Sequence, residues 1–231
     1  MPKKYPFFFL PLLIIALCGC AAPLSELRFP PEQPLRLPAG TLDDPIIDSD
    51  ITLAEALRKY SPPDIQARQR LIGVLYYSFD GKVHKGQLVI EERLVEDLRE
   101  VFRVALKNKF PVGSVIPISH DKFYKDGEWN EDEQSMLSNN CSGFNYRTVT
   151  HGTKLSNHAY GFAIDINPVQ NPYIKGDVIL PAGAVYDPGI PGTLTENSPV
   201  VKTFKRLGWT WGGNWKTLKD YQHFEKVLKT Q

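Results

Sequence analysis

Eight prolines crowd residues 23–63 of this 231-residue chain, at positions 23, 30, 31, 34, 38, 45, 62 and 63. Each lacks a backbone N–H and fixes φ, so the stretch favours extended, semi-rigid backbone over long helices or central strands. The chain therefore divides into a leader (residues 1–19), a proline-rich tether (residues 20–65) and one domain of ordinary size (residues 66–231). Within the tether, Thr52-Leu53-Ala54-Glu55 is a capping-box pattern that opens a short helix, with Leu53, Leu57 and Tyr60 as its apolar stripe.

The leader has Lys3 and Lys4 ahead of an apolar run from Phe7 to Leu17, then small residues, which is the build of a secretory signal. Its 11 apolar positions, interrupted by Pro11, fall short of the ~20 needed to cross the hydrocarbon core. Leu17-Cys18-Gly19-Cys20 resembles a bacterial lipobox, and the resemblance implies a lipid anchor on Cys20 as the first mature residue. Ordinary secretion with cleavage near Ala22 is the alternative. A membrane-anchored protein of the cell envelope is expected, and Ala21, which is not the aspartate associated with inner-membrane retention, points to the periplasmic face of the outer membrane.

Charge narrows the partners. The formal balance is +1, and losing two lysines with residues 1–19 leaves 25 basic against 26 acidic side chains, so no polybasic field for nucleic acid is present. Cys141 is then a lone thiol apart from Cys20, which excludes a disulfide framework and leaves the fold to its core or to a metal. We expect Cys141 to be a small buried hydrophobe, and the protein to act as a monomer.

In the domain, Leu71 to Phe79 and Val83 to Ile90 flank Asp80-Gly81 and read as a hairpin. Leu94, Val95, Leu98, Val101, Phe102, Ala105 and Leu106 mark one face of a helix over 91–109, stopped by Phe110-Pro111. A short helix at 132–138, strands near 144–148 and 162–166, and a helix opened by Ser198-Pro199 and closed by Gly208 follow. Hairpins mixed with non-alternating helices give an α+β class, mainly antiparallel sheet with flanking helices.

His158 and Asp165 offer nitrogen and oxygen ligands of the kind zinc accepts. Seven residues of helix would separate them by ~10 Å, and a straight strand would point them to opposite faces. Both can serve one ion only if the chain bends, and Gly161 is where bending costs least. Asp220 and His223, three apart, need a turn that ends where a last strand begins. Spacing alone fits a solvated histidine and a surface carboxylate better than a metal site.

The pattern Ser156-x-His158-x-x-Gly161-x-Ala163-x-Asp165, with the later Asp220-x-x-His223, resembles the zinc D-alanyl-D-alanine carboxypeptidases and L-alanyl-D-glutamate endopeptidases of peptidoglycan. Lys85-Gly86-Gln87-Leu88-Val89, Phe144-Asn145-Tyr146-Arg147, Ile164 to Pro168 and Trp211-Gly212-Gly213-Asn214-Trp215 extend the likeness in the same order. The resemblance implies a hedgehog/DD-peptidase-like fold and one zinc ion on His158, Asp165 and His223. It also makes Asp220 the general base and Arg147 the group that steadies the oxyanion. Gln87 and Ser156 are either substrate contacts or supports of the hairpin and loop, and Trp215 is a wall of the groove or packing at its rim. Glu225 is the reserve base should Asp220 not serve.

Peptidoglycan stem peptides are the implied substrate. An aspartate rather than a glutamate three residues before the last histidine resembles the endopeptidase branch, with D-Ala-D-Ala carboxypeptidase as the second choice. The contrasting class is a non-catalytic envelope-binding lipoprotein that keeps the zinc fold, as the related hedgehog domains do. Its mark would be loss of a ligand or of the base, and all four positions are filled here.

Overall fold

The computed structural model describes residues 38–59, 61–125, 128–129, 131–149 and 152–228. The leader, the tether up to residue 37, Tyr60 and His151 lie outside them. A compact unit runs from Pro38 to the C-terminus. No helix among the described residues is long and apolar enough to cross a membrane.

The elements follow in the order β1 (Ile46–Ile47), α1 (Leu53–Ala56), α2 (Pro63–Gln66), β2 (Gln69–Tyr77), β3 (Val83–Glu91), α3 (Val95–Lys107) and β4 (Ser114–Val115). After them come β5 (Tyr124–Lys125), β6 (Glu128–Trp129), α4 (Glu131–Leu137), β7 (Asn140–Cys141), β8 (Ala163–Asp165), β9 (Tyr173–Lys175) and β10 (Val178–Leu180). The chain closes with α5 (Pro199–Arg206), β11 (Thr210–Trp211), β12 (Lys219–Asp220) and β13 (His223–Glu225). This is an α+β arrangement, but among the described residues it has five small sheets rather than one, since most strands are only two or three residues long.

The hairpin β2–β3 carries the core. Ile72, Val74 and Tyr76 of β2 and Leu88 and Ile90 of β3 are buried, and α3 packs on them with Leu98, Val101, Phe102 and Ala105. Helix α5, capped by Ser198 with Pro199 at its first position, joins the same core through Val200, Val201 and Phe204. Phe204 stacks on Phe224 of β13 with centroids 4.0 Å apart, tying the last strand to the helical layer.

Two expectations are corrected. Residues 38–65 are not a free tether. Strand β1 pairs in parallel with β3 (Ile46 to His84, Ile47 to Lys85), and Ala56 is buried beside Val89 and Phe144 with Ile51, Leu57 and Ile65 around them. Pro45 sits just before β1 and Pro62 and Pro63 open α2, where a missing N–H costs nothing, so proline density marks a strap here and not an absence of packing. The capping box at Thr52 and Glu55 forms as the sequence predicts.

Residues 144–148 do not form a strand. Their backbone groups bond to unlike partners in turn: Phe144 N–H to Val89 O (2.8 Å), Asn145 N–H to His158 O (3.0 Å), and Arg147 O accepting from Ser156 N–H (3.0 Å). No single neighbour runs alongside to build a ladder.

Candidate metal centre and active site

Ser156 begins the local logic. It caps a single 3₁₀ turn, Asn157–Tyr160, by accepting from the His158 N–H at 3.3 Å. The turn ends at Gly161 in the left-handed region (φ 70°), and a Cβ there would come within 2.3 Å of Gln69 Oε1 and 2.7 Å of Glu91 N. Only glycine meets both demands, and this is the bend that lets β8 start at Ala163 and deliver Asp165 beside His158.

His223 arrives from the other side. Strand β13 pairs antiparallel with β8, and the register sets His223 directly opposite Asp165. The carboxylate meets both rings: Asp165 Oδ1 lies 3.0 Å from His223 Nδ1 and Oδ2 lies 3.2 Å from His158 Nε2. His158 Nε2 and His223 Nδ1 are 3.2 Å apart. One ligand atom from each of the three residues lies within 4.8 Å of the others, and all three side chains are buried.

The outer nitrogens decide what the inner ones are. His158 Nδ1 sits 2.6 Å from Gly143 O, a carbonyl that can only accept, so Nδ1 carries the hydrogen and Nε2 a lone pair. His223 Nε2 lies 3.0 Å from Glu225 Oε2, which also accepts from Asn157 Nδ2 at 2.7 Å. The Glu225 carboxylate can only accept, so Nε2 donates and Nδ1 is the inner lone pair when the ring is neutral; this hydrogen bond, partly opposed by burial, holds the Glu225 carboxyl below its usual range. Two lone pairs and a carboxylate then face one small space, an arrangement that calls for a cation.

Burial disfavours a charged His223, but the hydrogen bonds to Asp165 and Glu225 outweigh it and push the ring up to about 10. Burial likewise opposes ionisation of Asp165, yet the His158 and His223 imidazoles hold its carboxyl well below the usual range. The donor set, two nitrogens and one carboxylate with their far sides already satisfied, fits a metal ion that keeps an open position.

A cavity of about 420 Å³ opens over the cluster, lined also by Asp220, Arg147, Ser156 and Trp215. Asp220 ends β12, and its Oδ1 is shut from solvent with no hydrogen-bond partner among the described residues. Burial is the main reason its carboxyl is pushed up to about 6, with His223 pulling the other way. Gly212 makes this placement possible, because a Cβ there would lie 2.4 Å from Asp220 O. Arg147 reaches the cavity with Nε 3.2 Å from Asp132 Oδ1 and Nη1 donating to Thr148 O at 3.1 Å. The Trp215 ring lies 5.4 Å from that of His223.

Gln87 does not join them. Its Oε1 accepts from Ser49 Oγ (2.7 Å) and Ile51 N–H (2.8 Å), and its Nε2 donates to Ile51 O (2.9 Å), so it clamps the strap to β3 and does not line the cavity. Cys141 is fully buried, and burial pushes its thiol up to about 12. Glu225, the reserve base, instead orients His223. His-x-Glu on a strand puts both side chains on one face, a signal present in the sequence, whereas the Gly143 carbonyl, being backbone, leaves none.

Residues 150–226, about one third of the chain, match the family model described as D-alanyl-D-alanine carboxypeptidase. The match covers His158, Asp165, Asp220 and His223 and supports a peptidoglycan-related peptidase. No solved structure matches the chain.

Proposed function

We propose that the protein is a zinc-dependent peptidase that cuts peptidoglycan stem peptides, at the L-Ala–D-Glu bond in preference to the terminal D-Ala–D-Ala bond. The observation that carries this reading is the convergence of His158 Nε2, Asp165 and His223 Nδ1 in one open cavity with the Asp220 carboxyl, whose Oδ1 is buried without a hydrogen-bond partner among the described residues. A zinc ion held by those three residues supplies a Lewis acid that acidifies water and polarises the scissile carbonyl.

The chain's own groups do the rest. Asp220, raised towards neutrality by burial, takes the proton of the attacking water and returns it to the leaving amine. The tie of Arg147 to Asp132 aims its guanidinium into the cavity, where negative charge develops on the carbonyl oxygen. Trp215 walls the groove, while Ser156 works through His158 by holding its turn. The preference for the endopeptidase bond rests on aspartate at position 220. We further propose a hedgehog/DD-peptidase-like fold, a lipid anchor at Cys20 and a site of action at the periplasmic face of the outer membrane.

Purified peptidoglycan digested by the zinc-loaded protein, with mass analysis of the fragments, tests the function. New L-Ala carboxyl and D-Glu amine ends support the favoured bond, and loss of a single D-Ala supports the second. Intact peptidoglycan sinks both and leaves a binding lipoprotein.

A further inference from the structure

Strand β9 forms one wall of the metal cavity. It pairs antiparallel with β12 so that Tyr173 stands opposite Asp220 and Ile174 opposite Lys219. Side chains two apart on a strand share a face, so Lys175 lies on the Tyr173 face and diagonal to Asp220. Diagonal cross-strand neighbours are ~7–8 Å apart, a gap that a lysine stem spans. Both Tyr173 and Lys175 line the same cavity as the metal cluster.

The charges of that cavity are uneven. Asp132, Asp165, Asp220 and Glu225 all line it, Asp132 tied to Arg147 and both Asp165 and Glu225 to His223, so Asp220 is the acid that faces substrate with no cationic side chain bonded to it. Of the Arg and Lys side chains in the lining, Arg147 is already tied to Asp132 and Thr148 O. Lys175 is exposed, and its side chain makes no hydrogen bond or ion pair with any described residue.

We propose that Lys175 receives a free carboxylate on the carbon that bears the leaving nitrogen, and thereby sets which stem-peptide bonds are cut. The inference rests on the peptidase reading above and deepens it. Both candidate bonds share this chemistry: D-Glu continues the stem through its γ-carboxyl and keeps its α-carboxylate, and a terminal D-Ala ends in one. Asp220 must reach that same nitrogen to protonate it, so a carboxylate one carbon away falls between Asp220 and the Lys175 ammonium. Without the lysine, the nearby Asp220 makes the same carboxylate a liability.

The test uses wild type and Lys175→Met, both zinc-loaded, on L-Ala-γ-D-Glu-L-Lys and on the same peptide with its α-carboxylate converted to the amide. Wild type is expected to favour the acid by about tenfold in kcat/KM, mostly through KM, and Lys175→Met to bring the ratio near one. Lys175→Arg should keep most of the preference, since charge matters more here than shape. A ratio unchanged between wild type and Lys175→Met overturns the proposal. Calorimetry of both peptides on the metal-free protein gives a second readout, with the acid binding about tenfold tighter only when Lys175 is present. If wild type cuts neither peptide, the peptidase reading fails and calorimetry alone judges Lys175. Equal binding, or none, then overturns it.

Discussion

The strap over residues 38–66 and the β8–β13 pair are both seams between distant stretches of chain, closed by different chemistry. The strap is held by β1 on β3, by the amide of Gln87, by a small apolar cluster around Ala56, Val89 and Phe144, and by scattered polar pairs, Asp48 with His84 (2.9 Å), Arg58 with Asp121 and Lys59 with Glu131. At the β8–β13 seam, three buried ionisable side chains, His158, Asp165 and His223, meet with Glu225 behind them. A seam of scattered bonds loses them one at a time. A buried charged seam leaves every remaining partner uncompensated when one member goes, which makes it costly to break and suited to holding a cation.

The largest effect is therefore expected from His223→Ala. Removing one of three ligands should lower both zinc content and hydrolysis, the latter by at least about 10³-fold, as read by metal analysis beside a stem-peptide assay. Asp220→Asn should keep its zinc and lose ~10²–10⁴-fold in kcat, because an amide fills the space but accepts no proton. Native turnover with native zinc content would remove Asp220 from the role of base. The two variants together separate holding the metal from using it.

Glu225 sharpens the comparison from one shell further out. Glu225→Ala leaves His223 Nε2 without its acceptor and should weaken zinc affinity ~10–100-fold, measured by chelator competition. A smaller step is expected on the pH axis. Since the base works deprotonated and the Asp220 carboxyl is pushed up to about 6 in the metal-free chain, kcat/KM should rise with pH across an acid limb. The positive charge of a bound ion pulls Asp220 down, which sets the midpoint at or below about 6. The limb should vanish from the residual activity of Asp220→Asn, and a limb that survives belongs to another group.

How far these seams could be read beforehand follows from what each is made of. His158, Asp165 and His223 were legible through the resemblance of the Ser-x-His-x-x-Gly-x-Ala-x-Asp and Asp-x-x-His patterns, since spacing alone favoured a solvated histidine; the bend that the seven-residue spacing requires is supplied by Gly161 at φ 70°. The hairpin and α3 were legible for the usual reason, apolar residues at the period of the element that buries them. Proline density misled over residues 38–65, because proline forbids ladder donation yet permits a parallel edge strand and a helix start, and both occur. Residues 144–148 carry strand-forming side chains, but where each backbone group finds its partner depends on β3 and the 157–160 turn, which no local pattern encodes. Gln87 shows the same limit. A glutamine in a matched motif suggests a ligand contact until the strap that occupies it is in place.

The smallest effect on catalysis is accordingly expected at Gln87, and it tests the strap seam directly. Gln87→Ala removes the acceptor of Ser49 Oγ and Ile51 N–H and the donor to Ile51 O, all in a half-buried setting. Leaving those groups without partners should cost about 1–3 kcal/mol of unfolding free energy in a denaturant titration. Zinc content and kcat should stay within about twofold of wild type, because the Gln87 side chain bonds to Ser49 and Ile51 and does not line the metal cavity. The opposite pattern, unchanged stability with a raised KM, would mean that substrate draws Gln87 out of the strap and that the two seams are coupled. Ser49→Ala discriminates between these outcomes, since it takes away one of the strap's own bonds to Gln87 and leaves the glutamine side chain present. A loss of stability in both variants with KM unmoved keeps the strap as scaffold and the charged seam as the place where the chemistry is done.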